Sequence, residues 1–273
     1  MNQEHGVTIK RACQVARLSR AAYYRAEVSA EERDRPVIEA LNEIVAKETR
    51  WGFWKCFDRL RNLGRAWNHK RVYRVYCTMN LNQKRRTKRR LPARPCQPLH
   101  APDRVNAVWS MDFMHDTLYG RRTFRTFNII DDADRSALGI EIATSIGAER
   151  VTRFLDQLIE VHGKPGTIRC DNGPEFTSEK LARWSKQHGV EIRFIQPGKP
   201  NQNAFIERFN RSYREEVLDA YLFNTLAEVR EITDDWIERY NEIRPHDALA
   251  SLPPARYRER WLSMEKSTSD VST

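Results

Sequence analysis

From Ala107 onward the apolar positions of the chain change period several times, and each change marks an element. The run AVWSMDFMH is strand-like, and RRTFRTFNIIDDADRSALGIEIATS reads as two more strands joined at the polar turn DDADRS, which makes a meander. Next, GAERVTRFLDQLIEVHG puts Val151, Phe154, Leu155, Leu158 and Ile159 on one helical face and ends on Gly163. GTIRCDNG is a fourth strand, TSEKLARWSKQHG a capped helix and VEIRFIQP a fifth strand. A long helix follows in QPGKPNQNAFIERFNRSYREEV. Its Phe205, Phe209 and Tyr213 recur at four-residue spacing as a packing stripe, while Asn203, Glu207, Arg211 and Arg214 fall on a different face. TLAEVREITDDWIERYNEIRPHDAL adds another amphipathic helix that stops before Pro245. The order predicts an α/β fold, a mixed five-stranded sheet with helices on both faces.

Upstream of this domain the pattern is helical throughout. VTIKRACQVARLSRAAYYR reads as two short helices, with Ile9, Ala12, Cys13 and Ala16 in one stripe and Ser19 capping the second. A longer helix carries Val37, Ile38, Leu41, Ile44 and Val45 on one side. WGFWKCFDRLRNLG ends on a glycine, and Asn68 caps HKRVYRVYCTM, where Val72, Tyr73 and Tyr76 turn inward and Lys70, Arg71 and Arg74 outward. Helix, glycine-containing turn and basic second helix is the pattern of a helix-turn-helix. The boundaries that follow are a helical region at 1–82, a proline-containing basic linker at 83–104, the α/β domain with its C-terminal helix at 105–262, and a polar tail at 263–273 expected to be disordered.

Charge adds a direction to this division. The chain carries +10, but residues 1–100 hold 23 Lys and Arg against 9 Asp and Glu, a net +14, and the remainder holds 24 against 28, a net −4. A basic module attached to a nearly neutral one suits a polyanion, and release of counterions from double-stranded DNA is the usual driving force. The side chains placed for such contacts are Lys70, Arg71 and Arg74, then Lys84, Arg85 and Arg86 of the linker. Lys199 and Asn203 join them in the approach to the long helix, with Arg211 and Arg214 on it. No apolar run reaches the roughly 20 residues of a membrane helix. The N-terminus has no signal-peptide pattern, and five scattered cysteines form no C-x-x-C pair, so a cytoplasmic protein is expected.

Three acids stand apart from the general surface charge. Asp112 lies in the middle of the first strand, Asp171 at the end of the fourth, and Glu207 on the helix after the fifth. Each has a plain structural reading by itself: a strand-edge acid, an Asp-Asn-Gly turn, and a Glu–Arg pair along a helix. Together they converge on one side of such a sheet. Three carboxylates without a histidine or cysteine partner form a hard-oxygen site for Mg²⁺ or Mn²⁺, and such ions carry out phosphoryl transfer, one activating a hydroxyl and the other stabilising the leaving oxygen.

The words VWSMDFM, DNGPEFTS, QPGKPNQNAFIERFNRSYREEVLD and YNEIRPHDALASLPPARY, with 35 residues between Asp171 and Glu207, resemble the DDE signature of transposases and retroviral integrases. The closest likeness is to OrfB transposases of bacterial insertion sequences, and it runs from about Val7 to Arg260. That resemblance implies a ribonuclease H-like fold, and Asp112, Asp171 and Glu207 as the triad holding two Mg²⁺ ions. It also implies cleavage at element ends by water, followed by attack of the freed 3′-hydroxyl on target DNA, with Arg214 as the family's basic residue near DNA. It further implies multimers on DNA, and a fusion or partner from an upstream reading frame, since the chain shows no heptad zipper. Asp134 departs from the family pattern, and Asp131, Asp132 and Asp134 are read as turn residues. The competing readings are an inactive or partial transposase that only binds DNA, and a ribonuclease H-like nuclease that only hydrolyses.

Overall fold

The computed structural model describes residues 8–24, 29–82, 99, 101–196 and 200–270. Most of the linker, with Lys84, Arg85 and Arg86, lies outside the described residues, as does Lys199. Two compact units form, one from Met1–Thr49 with Trp67–Asn82, the other from Arg50–Ala66 with Gln83–Thr273.

In the first unit α1 (Ile9–Val15) and α2 (Arg20–Tyr23) are short, and Ser19 caps α2 by accepting from the Ala22 N–H as expected. Helix α3 (Ala30–Lys47) buries Val37, Ala40, Leu41 and Ile44. Helix α5 (His69–Thr78), capped by Asn68, buries Val72, Val75 and Tyr76. Tyr73, assigned inward from sequence, is instead 49% exposed, and Val75 takes its place because the buried stripe runs one residue further round the helix.

The chain between them, α4 (Phe53–Asn62), belongs with the second unit, so the helical region drawn at 1–82 divides. The Asn62 side-chain amide donates to the Ser251 carbonyl (2.9 Å), and the Ser251 hydroxyl donates to Asp58 (2.9 Å). Trp51, Cys56 and Leu60 are buried. Amphipathic periodicity marks the apolar face of α4 but does not say which body covers it.

The second unit is built on five strands, β1 (Val108–Thr117), β2 (Thr123–Asp131), β3 (Ala137–Ala143), β4 (Thr167–Cys170) and β5 (Glu191–Phe194), in the order β3-β2-β1-β4-β5. The first three pair antiparallel, and β4 and β5 join in parallel. This is the mixed five-stranded sheet expected from the strand and helix order. Trp109 and Met111 point to one face, where Leu155 and Leu158 of α6 (Ala148–His162) and Leu181 and Trp184 of α7 (Glu179–His188) pack. Gly139 of β3 sits so close to α6 that a Cβ there would stand 2.8 Å from the Phe154 ring. Gly189 ends α7 at φ 62°, a left-handed position that suits glycine.

The other face carries α8 (Ala204–Tyr213) and α9 (Leu226–Glu242), through Ile206, Phe209, Tyr213 and Trp236. Ile206 belongs to this stripe, whereas Phe205 is only partly buried and holds Arg135 over its ring at 3.4 Å. A π-helical turn, Arg214–Leu218, extends α8, and α10 (Pro254–Asp270) closes the described chain. The tail expected to be disordered from 263 is thus helical to Asp270, with 271–273 outside the described residues.

The DDADRS turn is also more than a polar link. Asp131, Asp132 and Asp134 are fully buried. Asp131 accepts the backbone N–H groups of Asn106 (2.7 Å) and Ala133 (2.8 Å). Asp132 pairs with Arg169 of β4 (2.8 Å), and Asp134 with Arg258 of α10 (2.5 Å). Burial, joined by the Asp134 charge, pushes the Asp131 carboxyl up to about 7. Burial also raises Asp132 to about 6 against the pull of Arg169.

Candidate active site

Side chains on a strand alternate between faces, so with Trp109 and Met111 on the α6/α7 side, Asp112 faces α8. Helix α8 presents Asn210 to it. The Asn210 amide donates to Asp112 Oδ2 (2.7 Å), and Asn128, the register partner of Asp112 on β2, donates to Asn210 Oδ1 (2.7 Å). The other Asp112 oxygen accepts the Phe113 N–H (2.9 Å). A buried amide chain therefore fixes the orientation of this carboxylate.

Asp171 follows β4 directly, and its Oδ1 accepts the Gly173 N–H (2.9 Å), the Asx turn that Asp-Asn-Gly encodes. Glu207 stands exposed in the first turn of α8, one helical turn before Asn210. Burial first, then the negative charges of Asp171 and Glu207, push the Asp112 carboxyl up to about 6, against the Phe113 N–H and the Asn210 amide. Asp112 thus lies near enough to Asp171 and Glu207 to feel both charges. Among the described residues, no group of three or more His, Cys, Asp or Glu is arranged to hold a metal ion.

Arg214, at the end of α8, pairs with Asp116 of β1 (2.9 Å) and Asp219 (3.5 Å) and donates to the His115 carbonyl (2.7 Å). It clamps the helix to the strand that carries Asp112. Arg211 is exposed. Asn203 is 4% exposed, and its Oδ1 has no hydrogen-bond partner among the described residues. In the first unit Arg71 and Arg74, read from sequence as outward, both pair with buried Asp34 of α3 (3.0 and 2.8 Å), while Lys70 stays exposed. The two guanidiniums hold the Asp34 carboxyl below its usual range despite its burial. Sequence reasoning missed Asn210 and Asn128. The available signal was an amide in the apolar stripe of α8, at i+4 from Ile206, where a polar group needs a buried partner.

Residues 102–200 and 188–254 each match a model described as integrase core domain, and residues 31–90 match an HTH-like domain. An uncharacterized 39.2 kDa protein of insertion element IS476 from Xanthomonas euvesicatoria is 37% identical over 94% of this chain and 74% of its own length. A 31.7 kDa uncharacterized protein of insertion element IS407 from Burkholderia multivorans is 34% identical over 94% of this chain and 92% of its own. The transposase for insertion sequence element IS904 of Lactococcus lactis is 26% identical, over 75% of this chain and 86% of its own. A mixed sheet of this order, an integrase core and a preceding helical HTH-like segment define a class of proteins that integrate DNA. Within that class, the chain belongs to the family of insertion-sequence transposases. Among its described residues no helix is long and apolar enough to cross a membrane.

Proposed function

We propose that this transposase cuts DNA at the ends of its element and joins the freed 3′-hydroxyl to a target phosphodiester, with Asp112, Asp171 and Glu207 as the catalytic carboxylates. The observation that carries this reading is that Asn210, one helical turn after Glu207 on α8, hydrogen-bonds Asp112 of β1, while Asp171 follows β4, the parallel neighbour of β1. A cation would relieve the repulsion that Asp171 and Glu207 exert on Asp112. The donors are all oxygen, which fits a hard divalent ion, Mg²⁺ with Mn²⁺ as its substitute, and the family resemblance suggests two ions. Asp112, Asp171 and Glu207 would hold such ions, which would supply activation of the attacking hydroxyl and stabilisation of the leaving oxygen.

The chain's own groups have defined tasks in this scheme. Asn210 and the Phe113 N–H aim Asp112, and the Gly173 N–H aims Asp171. Arg214 keeps α8, and with it Glu207, against β1. Lys70, Arg71, Arg74, Lys84, Arg85, Arg86, Lys199, Asn203, Arg211 and Arg214 are assigned to DNA. Of these, Arg71, Arg74 and Arg214 also serve the fold through their ion pairs. Work at two element ends requires more than one active site, so the protein acts as a multimer on DNA, in the cytoplasm, with a product or fusion from an upstream frame as partner.

The test uses labelled element-end DNA with Mg²⁺ or Mn²⁺ and compares wild type with Glu207→Gln. The variant is expected to bind normally yet neither cut nor join. Normal joining by Glu207→Gln would remove Glu207 from the triad. Cutting without any joined product by the wild type would favour a hydrolytic nuclease, and binding without cutting a DNA-binding protein alone.

A further inference from the structure

Next to Glu207 in sequence, Arg208 points about 100° further round α8 and faces a different place. It lines a cavity of about 360 Å³, together with Lys55 of α4, Arg135 of the β2–β3 turn, and Arg244 and His246 beyond α9. All of these residues belong to the second unit. Four lysine and arginine side chains and one histidine thus share one hollow with a single lining carboxylate, Asp247.

Two of these cations have local partners. Arg244 pairs with Glu216 and approaches the Ser212 hydroxyl (3.3 Å), and Arg135 donates to the Asp132 carbonyl while lying over Phe205. The other two do not: among the described residues no carboxylate lies within ion-pair distance of Lys55 or Arg208. His246 adds a ring nitrogen, Nε2, that is shielded from solvent and has no hydrogen-bond partner among the described residues. Burial, with Arg244 and Arg208 adding repulsion against Glu216 and Asp247, lowers the Lys55 ammonium to about 8. Burial and the same cations hold His246 neutral. Like charges gathered in a hollow cost stability unless something negative enters it.

We infer that this cavity is an anion site which takes a phosphodiester of the DNA strand, held by Lys55, Arg208 and Arg244 with His246 Nε2 as a further polar contact. This rests on the transposase reading above. A phosphate offers several acceptor oxygens to ammonium and guanidinium groups, and a guanidinium can engage it in bidentate fashion. Because Arg208 and Glu207 are adjacent on α8, a strand held here is registered against the helix that carries the third catalytic acid. The site therefore positions DNA and does not touch the reacting atoms.

The experiment uses the full chain, Lys55→Met, Arg208→Gln and Glu207→Gln. Thermal unfolding is measured with pyrophosphate and with sodium chloride at equal ionic strength, and binding of a short duplex is measured across a salt series. Pyrophosphate is expected to raise the midpoint of the wild type and of Glu207→Gln, but not that of Lys55→Met. Without added anion, Lys55→Met is expected to melt at or above the wild type, since it removes a like charge at similar volume. Arg208→Gln is expected to weaken duplex binding several-fold and to reduce the slope of log K against log salt by about one. An equal pyrophosphate shift in wild type and Lys55→Met overturns the site. A pyrophosphate response lost in Lys55→Met but a duplex salt slope unchanged in Arg208→Gln overturns the assignment to DNA in favour of a free phosphate compound. Failure of the catalytic reading shows elsewhere, as joining by Glu207→Gln, and leaves the anion response intact.

Discussion

Asp112 is a carboxylate placed where folding disfavours its charge, and the amides around it are what make that placement specific. Asn210 links Asp112 to Asn128 through two hydrogen bonds in the interior between α8 and the sheet. Replacing Asn210 by alanine leaves the Asn128 amide without its acceptor and frees the Asp112 side chain. Each such loss in a buried network costs about 1–3 kcal/mol. Outer partners of metal-ligating carboxylates influence affinity about 10- to 100-fold. Asn210→Ala is therefore expected to lower stability and to raise by about 10-fold the Mn²⁺ concentration needed for half-maximal joining. Joining assayed against Mn²⁺ concentration separates the two effects, because a purely structural role would lower the yield without moving the midpoint. An unchanged Mn²⁺ midpoint removes Asn210 from the site.

Among the elements, the β2–β3 hairpin shows how a turn becomes a junction. Asp131 meets Asp134, Arg258 and two backbone N–H groups, and its carboxyl rises to about 7 from an ordinary value of 3.8. A raised folded-state value means that the folded protein holds the proton more tightly than the unfolded chain. The stability this supplies is fully present below the ordinary value and is lost as pH rises through about 7. Asp131→Asn lacks that dependence and keeps one oxygen, which can accept only one of the two N–H groups because these go to different Asp131 oxygens, a loss that is the same at every pH. Measured by urea unfolding, its stability relative to wild type is expected to be more favourable at pH 8 than at pH 5. His162 and His246, which oppose the trend because their protonation is disfavoured in the fold, cancel in the comparison. A relative stability independent of pH would mean that Asp131 is not the titrating group.

For the whole molecule, the placement of α4 has a direct consequence. Asp58 and Asn62 are tied to Ser251, and the Asn62 carbonyl accepts from Arg256 (3.2 Å), so the second unit includes a helix from well before the basic linker. A chain starting at Arg50 keeps these contacts, and one starting at Gln83 loses them together with the approach of Arg244 to the Trp51 ring (6.0 Å). The longer form is expected to melt at the higher temperature and to stay soluble where the shorter one associates. Equal melting of the two would make α4 dispensable to the core.

Much of this protein was readable in one dimension. The two periodicities located all five strands and the helices between them, because burial on one face leaves a repeat of two or about 3.6 residues in any sequence. The candidate acids were not singled out locally, since each has a plain structural reading by itself; their placement on three elements of one sheet and the resemblance to the DDE signature brought them together. Pairing is different. That Asp58 and Asn62 of α4 meet Ser251, that Arg71 and Arg74 turn onto Asp34, that three turn aspartates become buried anchors for β4 and α10, and that Arg208 joins Lys55 and Arg244 around one hollow are all relations between residues from about 35 to nearly 200 positions apart. Periodicity reports that a side chain is covered and carries no information about by what. That was decided only by tertiary packing, among the helices of the first unit and around the sheet of the second, which brought distant charges within reach of one another.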